Sequence, residues 1–171
     1  MRDIYLTSDT HFFHHNIIKY CNRPFESVAH MNEILIQNWN SVVKQGDIVY
    51  HLGDVAMSYQ PEEFKKLWPR LNGRKRLIVG NHDDVKFLSS GGFFDKVMMW
   101  RVFMDQKLLL THVPVQEDSI HERIVRAGGY NIHGHTHDNG SPKGPYKSVC
   151  VELTNYTPVN IEELVNESKI S

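Results

Sequence analysis

Leu77-Ile78-Val79-Gly80-Asn81-His82-Asp83 is a short β-type apolar run cut off by glycine and followed by three polar side chains. Such a run, bounded by turn residues, reads as a strand that ends in a functional loop. The same arrangement stands twice upstream, where Ile48-Val49-Tyr50 leads into His51-Leu52-Gly53-Asp54 and Ile4-Tyr5-Leu6 leads into Ser8-Asp9-Thr10-His11. Between these strands the period changes. Val28, Met31, Leu35, Trp39 and Val42 recur at spacings of three and four, which predicts an amphipathic helix over 28–43. Pro61 at a first helical position, the apolar face Phe64, Leu67, Trp68 and Leu71, and the stop Asn72-Gly73 predict a second helix over 61–71. The rhythm is β-α-β-α-β.

Downstream, 96–103, 107–111, 129–132 and 148–153 read as strands with little helix between them, and a helix over 161–166 closes the chain. Alternating units followed by consecutive strands predict an α/β fold, a mixed sheet or two stacked sheets with helices outside, in one domain spanning 1–171. No repeat or linker divides the chain, although 138–145 is a Gly/Pro loop.

Composition narrows the function. The 171 residues are 40% apolar and 23% charged, ordinary for a globular domain. The longest apolar run is four residues, so a membrane span and a secretory leader are not expected. Nineteen Lys and Arg against 20 Asp and Glu give a formal charge of -1, too balanced for a general polyanion binder. Two cysteines, Cys21 and Cys150, form no C-x-x-C pattern, which excludes a thiolate zinc site and fits a reducing cytoplasm.

Histidine is the unusual component, with 11 copies. Five apolar runs end in potential ligands: Asp9 with His11, Asp54, Asn81 with His82, a lone His112, and His135 with His137. Loops at the carboxyl ends of neighbouring strands converge in open α/β sheets. Carboxylate, imidazole and amide ligands without thiolate suit manganese first, with iron, zinc, nickel or cobalt as alternatives. Asp9, His11, Asp54, Asn81, His112, His135 and His137 exceed the roughly four ligands of one tetrahedral ion. Two divalent ions roughly 3.5 to 4 Å apart accommodate them and suit in-line displacement at phosphorus by a bridging hydroxide. His82, next to Asn81, is placed to act as general acid on the leaving oxygen, with Asp83 as its orienting partner.

Asp9-Thr10-His11, Gly53-Asp54, Gly80-Asn81-His82-Asp83, His112 and Gly134-His135-Thr136-His137 together resemble the calcineurin-like metallophosphoesterase superfamily, in order and roughly in spacing, over residues 3 to about 155. The resemblance implies two stacked mixed β-sheets flanked by helices, with a dinuclear centre at the strand ends. It also implies that Asp9, His11, Asp54 and His137 hold one metal and that Asp54, Asn81, His112 and His135 hold the other. Val55, Ala56 and Met57 follow Gly53-Asp54 where the phosphoprotein phosphatase branch has aspartate and arginine. The small phosphodiesterase branch is therefore the nearer likeness, with a small phosphoester or nucleotide-like substrate.

A lone histidine at a strand end is ordinarily structural, and only the ordered set reverses that reading. His51 and His133, inside strands, are assigned to core or supporting hydrogen bonds. His14 and Asn16 are candidates for the pocket rim. Arg23 is a candidate phosphate fork, against the alternative that it pairs with Glu26. His15 and His30 read as surface residues. The 113–129 connection, with His121, is a candidate lid. Lys65, Lys66, Arg70, Arg74, Lys75 and Arg76 form a basic run that reads as a solvated face before a nucleic-acid stripe. Phe12, Phe13, Tyr20, Phe25 and Tyr59 read as core before base-stacking groups, and Phe93-Phe94 as core. Two other functions compete: a metallo-β-lactamase-type hydrolase, which fails because Asn139 stands where its motif needs histidine, and a non-catalytic protein-binding scaffold, which would be expected to lose ligands.

Overall fold

A computed structural model describes residues 2–57, 61–120 and 122–166; Tyr59 and His121 lie outside them. Two mixed sheets form. The first contains β1 (Ile4–Thr7), β2 (Ile48–His51), β3 (Arg74–Ile78), β4 (Lys96–Met98) and β9 (Val159–Asn160), in the order β4-β3-β2-β1-β9. The second contains β5 (Trp100–Phe103), β6 (Leu108–Thr111), β7 (Tyr130–His133) and β8 (Tyr146–Ser148), in chain order. β1 to β4 are parallel and β9 antiparallel, while β6 to β8 are parallel and β5 antiparallel. The helices are α1 (His15–Tyr20), α2 (Val28–Val42), α3 (Pro61–Leu67), α4 (Val85–Ser90), α5 (Glu122–Val125) and α6 (Ile161–Asn166).

The apolar runs are continuous because both faces of their strands are covered. Val49 and Leu77 point to one face and pack with Met31, Leu35, Ile36 and Trp39 of α2 and Phe64 and Leu67 of α3. Their neighbours Tyr50 and Ile78 point to the other and meet Leu108, Leu110 and Ile132 of the second sheet. The 113–129 connection is anchored on that sheet's outer face, where Ile120 and Ile124 pack on Leu109. Ser27 starts α2 by accepting the His30 N–H at 3.1 Å, an N-cap that satisfies one of the helix's orphan donors.

The structure departs from the sequence reading in several places. The run 96–103 is two strands, because the chain leaves the first sheet after Met98 and joins the second at Trp100, and alternation along one run does not reveal a change of sheet. The helix over 61–71 ends its α portion at Leu67 and tightens into a 3-10 turn over Trp68–Arg70, where Pro69 has no N–H to continue the ladder. The run 148–153 ends as a strand at Ser148. Cys150 then bridges to Ser8 and Val151–Leu153 forms a 3-10 turn. Finally α1 and α4, six residues each, with α5 and β9, occupy stretches to which the sequence reading assigned no element, and β3 starts at Arg74, inside the basic run.

The basic run is spent on partners. Lys65 and Lys66 pair with Glu62 and Glu63, Arg70 with Glu33 and Arg74 with Asp95. Lys75 donates to the Leu71 and Gly73 carbonyls, and Arg76 to the Tyr50 hydroxyl. Phe93 and Phe94 pack on Phe64 and Trp68 respectively, as core.

Candidate metal centre

Because β1, β2 and β3 run parallel, their carboxyl ends share one edge, and the loops that follow are laced together by backbone hydrogen bonds. The Asp9 N–H donates to Gly53 O (3.0 Å), His11 N–H to Asp54 O (3.1 Å) and Gly134 N–H to His112 O (2.8 Å). Five of the seven nominated ligands, Asp9, His11, Asp54, His135 and His137, have left-handed φ between 48° and 69°. That conformation costs about 1–2 kcal/mol per L-residue and is characteristic of functional loops held by their surroundings. The packing leaves no slack: a Cβ on Gly80 would collide with the Asp54 backbone N and Oδ1, and one on Gly134 with Ser8 Oγ and Asp9 Oδ2.

The nominated ligands form two triads, Asp9 with His11 and His137 and Asp54 with His112 and His135; a third group, Cys21, His137 and Glu152, shares His137 with the first. In the first, Asp9 Oδ1 is 3.7 Å from both His11 Nε2 and His137 Nε2. The other Asp9 oxygen, Oδ2, accepts from Ser8 Oγ (2.5 Å), His135 N–H (2.9 Å) and Cys150 Sγ (3.4 Å), so Oδ1 alone faces the triad. Although burial pushes the Asp9 carboxyl up, His11, His112, Ser8 and His137 hold it well below the usual carboxylate range. In the second triad Asp54 Oδ2 is 3.5 Å from His112 Nε2 and also 3.6 Å from His11 Nε2 of the first. Asn81 Oδ1 lies 2.9 Å from His112 Nε2 and 3.0 Å from His135 Nδ1.

Divalent cations fit this donor set. Asp9 Oδ1 and His11 Nε2 are buried without hydrogen-bond partners, a costly arrangement for a carboxylate and an imidazole unless a cation is shared between them. Ligands on one ion at about 2.1 Å stand roughly 3.0–3.5 Å apart, close to the separations seen. His112 Nδ1–H donates a hydrogen bond to Leu52 O at 2.7 Å. With that nitrogen as the donor, a cation between Nε2 and the Asn81 oxygen lets both act as ligands.

Around the triads, His82 is exposed, with its ring 5.9 Å from that of His11 and its N–H on Asp54 Oδ1 at 2.9 Å. The expected partnership between Asp83 and the His82 ring gives way to another task. Asp83 Oδ2 accepts the Gly80 and Asp54 N–H groups at 2.8 and 3.0 Å, and Oδ1 accepts that of Val55 at 2.9 Å. Asp83 thus ties together the two loops that carry Asp54 and Asn81. His14 lies at the rim, 5.5 Å from His11, and burial followed by the neighbouring His11 lowers its pKa to about 4. Asn16 is exposed on α1 and makes no hydrogen bond to either triad.

Arg23 corrects both of its sequence readings. It neither opens to the pocket as a phosphate fork nor pairs with Glu26. It is buried, donating through Nη2 to Asp9 O (2.7 Å), through Nη1 to Thr10 O (2.9 Å) and through Nε and Nη2 to Glu152 Oε1 (3.0 and 2.6 Å). Glu152 Oε1 also accepts from His137 Nδ1 at 3.0 Å. Sequence reasoning missed Glu152 because Val151-Glu152-Leu153 looks like strand. The one available signal was a carboxylate inside an apolar run. His51 and His133 are buried strand residues that serve the loops. His51 bonds Thr10 Oγ1 (2.9 Å) and accepts the Gly53 N–H (3.2 Å), with burial lowering its pKa to about 3. His133 Nδ1 reaches Gly134 O at 2.8 Å.

Comparison with known proteins agrees with this geometry. Residues 2–144 match the model of the calcineurin-like phosphoesterase superfamily domain. An uncharacterized protein of Methanocaldococcus jannaschii is 43% identical over 173 residues, covering 96% of this chain and 90% of that protein. The gene 66 protein of Mycobacterium phage L5 is 29% identical over 80% of this chain and 78% of its own length. The crystal structure of a protein of unknown function from Aquifex aeolicus superposes with a TM-score of 0.76 at 27% identity, over 97% of this chain and 99% of that one. The ordered loops, the paired triads and a family match that spans most of the sequence lead to one assignment: the chain belongs to the calcineurin-like phosphoesterase superfamily.

Proposed function

We propose that the protein is a phosphodiesterase that works with two divalent metal ions, manganese first among them, with Asp54 shared between the sites. One observation carries this reading: a single oxygen, Asp54 Oδ2, lies 3.6 Å from a histidine of one triad and 3.5 Å from a histidine of the other. Bound cations supply Lewis acidity to the phosphoryl group and to the attacking water. The chain's own residues do the rest. Asp83 and Gly80 keep the Asp54 and Asn81 loops in contact, and His82 donates a proton to the departing oxygen.

A diester carries one negative charge and a monoester close to two. Arg23, the cation the sequence nominated as a phosphate fork, is enclosed by Glu152 and backbone carbonyls, leaving imidazoles and an amide at the rim. That favours a small diester or nucleotide-like substrate. The paired basic run argues against nucleic acid, and two free cysteines fit the cytoplasm. No helix among the described residues is long and apolar enough to cross a membrane.

The test compares bis-p-nitrophenyl phosphate with p-nitrophenyl phosphate in manganese and after chelation. The expected result is a kcat/KM at least about tenfold higher for the diester and a loss of at least about a hundredfold on chelation, or roughly 2.7 kcal/mol of transition-state stabilisation. Activity indifferent to chelator contradicts the metal reading, and preference for the monoester contradicts the diester. A protein that purifies without metal and stays inert toward both substrates when manganese is supplied points to the scaffold.

A further inference from the structure

The two triads are backed differently. In the second, His112 Nδ1 donates to a neutral backbone carbonyl, Leu52 O, at 2.7 Å. In the first, His137 Nδ1 meets a carboxylate, Glu152 Oε1, at 3.0 Å. A carboxylate behind a ligand histidine fixes the tautomer that presents Nε2 and makes that nitrogen a better donor to a cation. The carboxylate is in turn held by Arg23, in a pair whose side chains are 0% and 4% exposed.

A buried ion pair of this kind is poor evidence for stability, since its desolvation rivals its attraction and apolar replacements are often neutral. Its connections point to positioning. The same guanidinium that holds Glu152 donates to the carbonyls of Asp9 and Thr10, within the loop where Asp9 and His11 have φ of 58° and 48°. One buried group therefore braces the Asp9–His11 loop and, through Glu152, the His137 ring. No Arg or Lys side chain is hydrogen-bonded in this way to Asp54, Asn81, His112 or His135 among the described residues.

We propose that Arg23 and Glu152 are positioning residues that make the Asp9–His11–His137 site the tighter of the two ion sites. The inference rests on the two-ion reading above and adds an order of affinity to it. Neither residue touches substrate or the reacting atoms.

The experiment is a calorimetric manganese titration of the metal-free wild type, Glu152→Gln, and the double variant Arg23→Gln/Glu152→Gln, with site occupancies read from manganese anomalous scattering in crystals of each. Glu152→Gln leaves Arg23 without its counterion and is prone to misfold; the double variant removes both charges and carries the test in that event. The wild type is expected to bind in two steps. The variants should weaken the tighter step about 10–100-fold, lower occupancy at Asp9–His11–His137 alone, and leave the other step within about twofold. Equal weakening at both sites, unchanged affinities, or a lower melting temperature with the ratio of the two affinities preserved would each overturn the proposal. A wild type that takes up no manganese overturns the two-ion reading itself, whereas normal uptake with indifferent variants overturns only this inference.

Discussion

Asp54→Asn is expected to abolish metal-dependent turnover, by about a thousandfold or more, and to take manganese content from two per chain to one or fewer. Among the described residues Asp54 Oδ2 is the only ligand atom with a histidine of each triad within 3.6 Å, so removing its charge weakens both positions at once. A thousandfold corresponds to about 4 kcal/mol, within the several kcal/mol a metal contributes by stabilising developing charge. The amide keeps the carboxylate's shape and an oxygen for the His82 N–H, which Asp54 Oδ1 now accepts at 2.9 Å. The chelated variant should therefore melt cooperatively near the chelated wild type. What it should lose is the stabilisation by added manganese, about 2.7 kcal/mol for an ion at a hundred times its Kd. Metal analysis and paired melting curves check this. A variant that still binds two ions and is still stabilised by them would show that Asp54 is not shared.

His82→Ala should behave in the opposite way, keeping both ions and losing turnover. The His82 ring contributes to neither triad, and its backbone N–H, the part that touches Asp54, survives substitution. A positioned general acid is worth typically 10²–10⁴-fold. The loss should depend on the leaving group: near that full factor for a nucleoside or alkyl alkoxide, which must be protonated as it departs, and under about tenfold for p-nitrophenolate, which is stable without a proton. Measuring kcat on both substrates with metal content verified separates this role from simple phosphate binding, which would cost the two substrates equally.

The parts of the fold legible in the sequence were those where burial writes a pattern. β1, β2, the Leu77–Ile78 end of β3 and β6 are apolar on both faces because both sides of their sheets are covered there, and α2 shows a clear stripe because one side packs on Val49 and Leu77. The parts that were not legible are changes of partner without a change of composition. At Met99 the chain passes from one sheet to the other while remaining β-type, and at 149–151 it remains buried while leaving β8 for the end of β1.

The site divides along a similar line. Its seven nominated ligands were readable because each follows a strand, and parallel strands deliver their ends to one edge; the structure does bring all seven together. The supports were not readable. Left-handed φ at Asp9, His11, Asp54, His135 and His137 has only a weak signature, since Asp and His are enriched there yet adopt it in a small minority of positions. Asp83 was nominated for the wrong partner because adjacency to His82 in sequence says nothing of two N–H groups arriving from residues 54 and 55. Arg23 and Glu152 are 129 positions apart and meet only through the fold.

The most direct test of the paired centre is a crystal of the wild-type protein grown with manganese, with data collected on either side of the manganese absorption edge. The expected result is two anomalous peaks roughly 3.5–4 Å apart, one among Asp9, His11 and His137, the other among Asn81, His112 and His135, with Asp54 between them. A single peak, or peaks remote from Asp54, would contradict it.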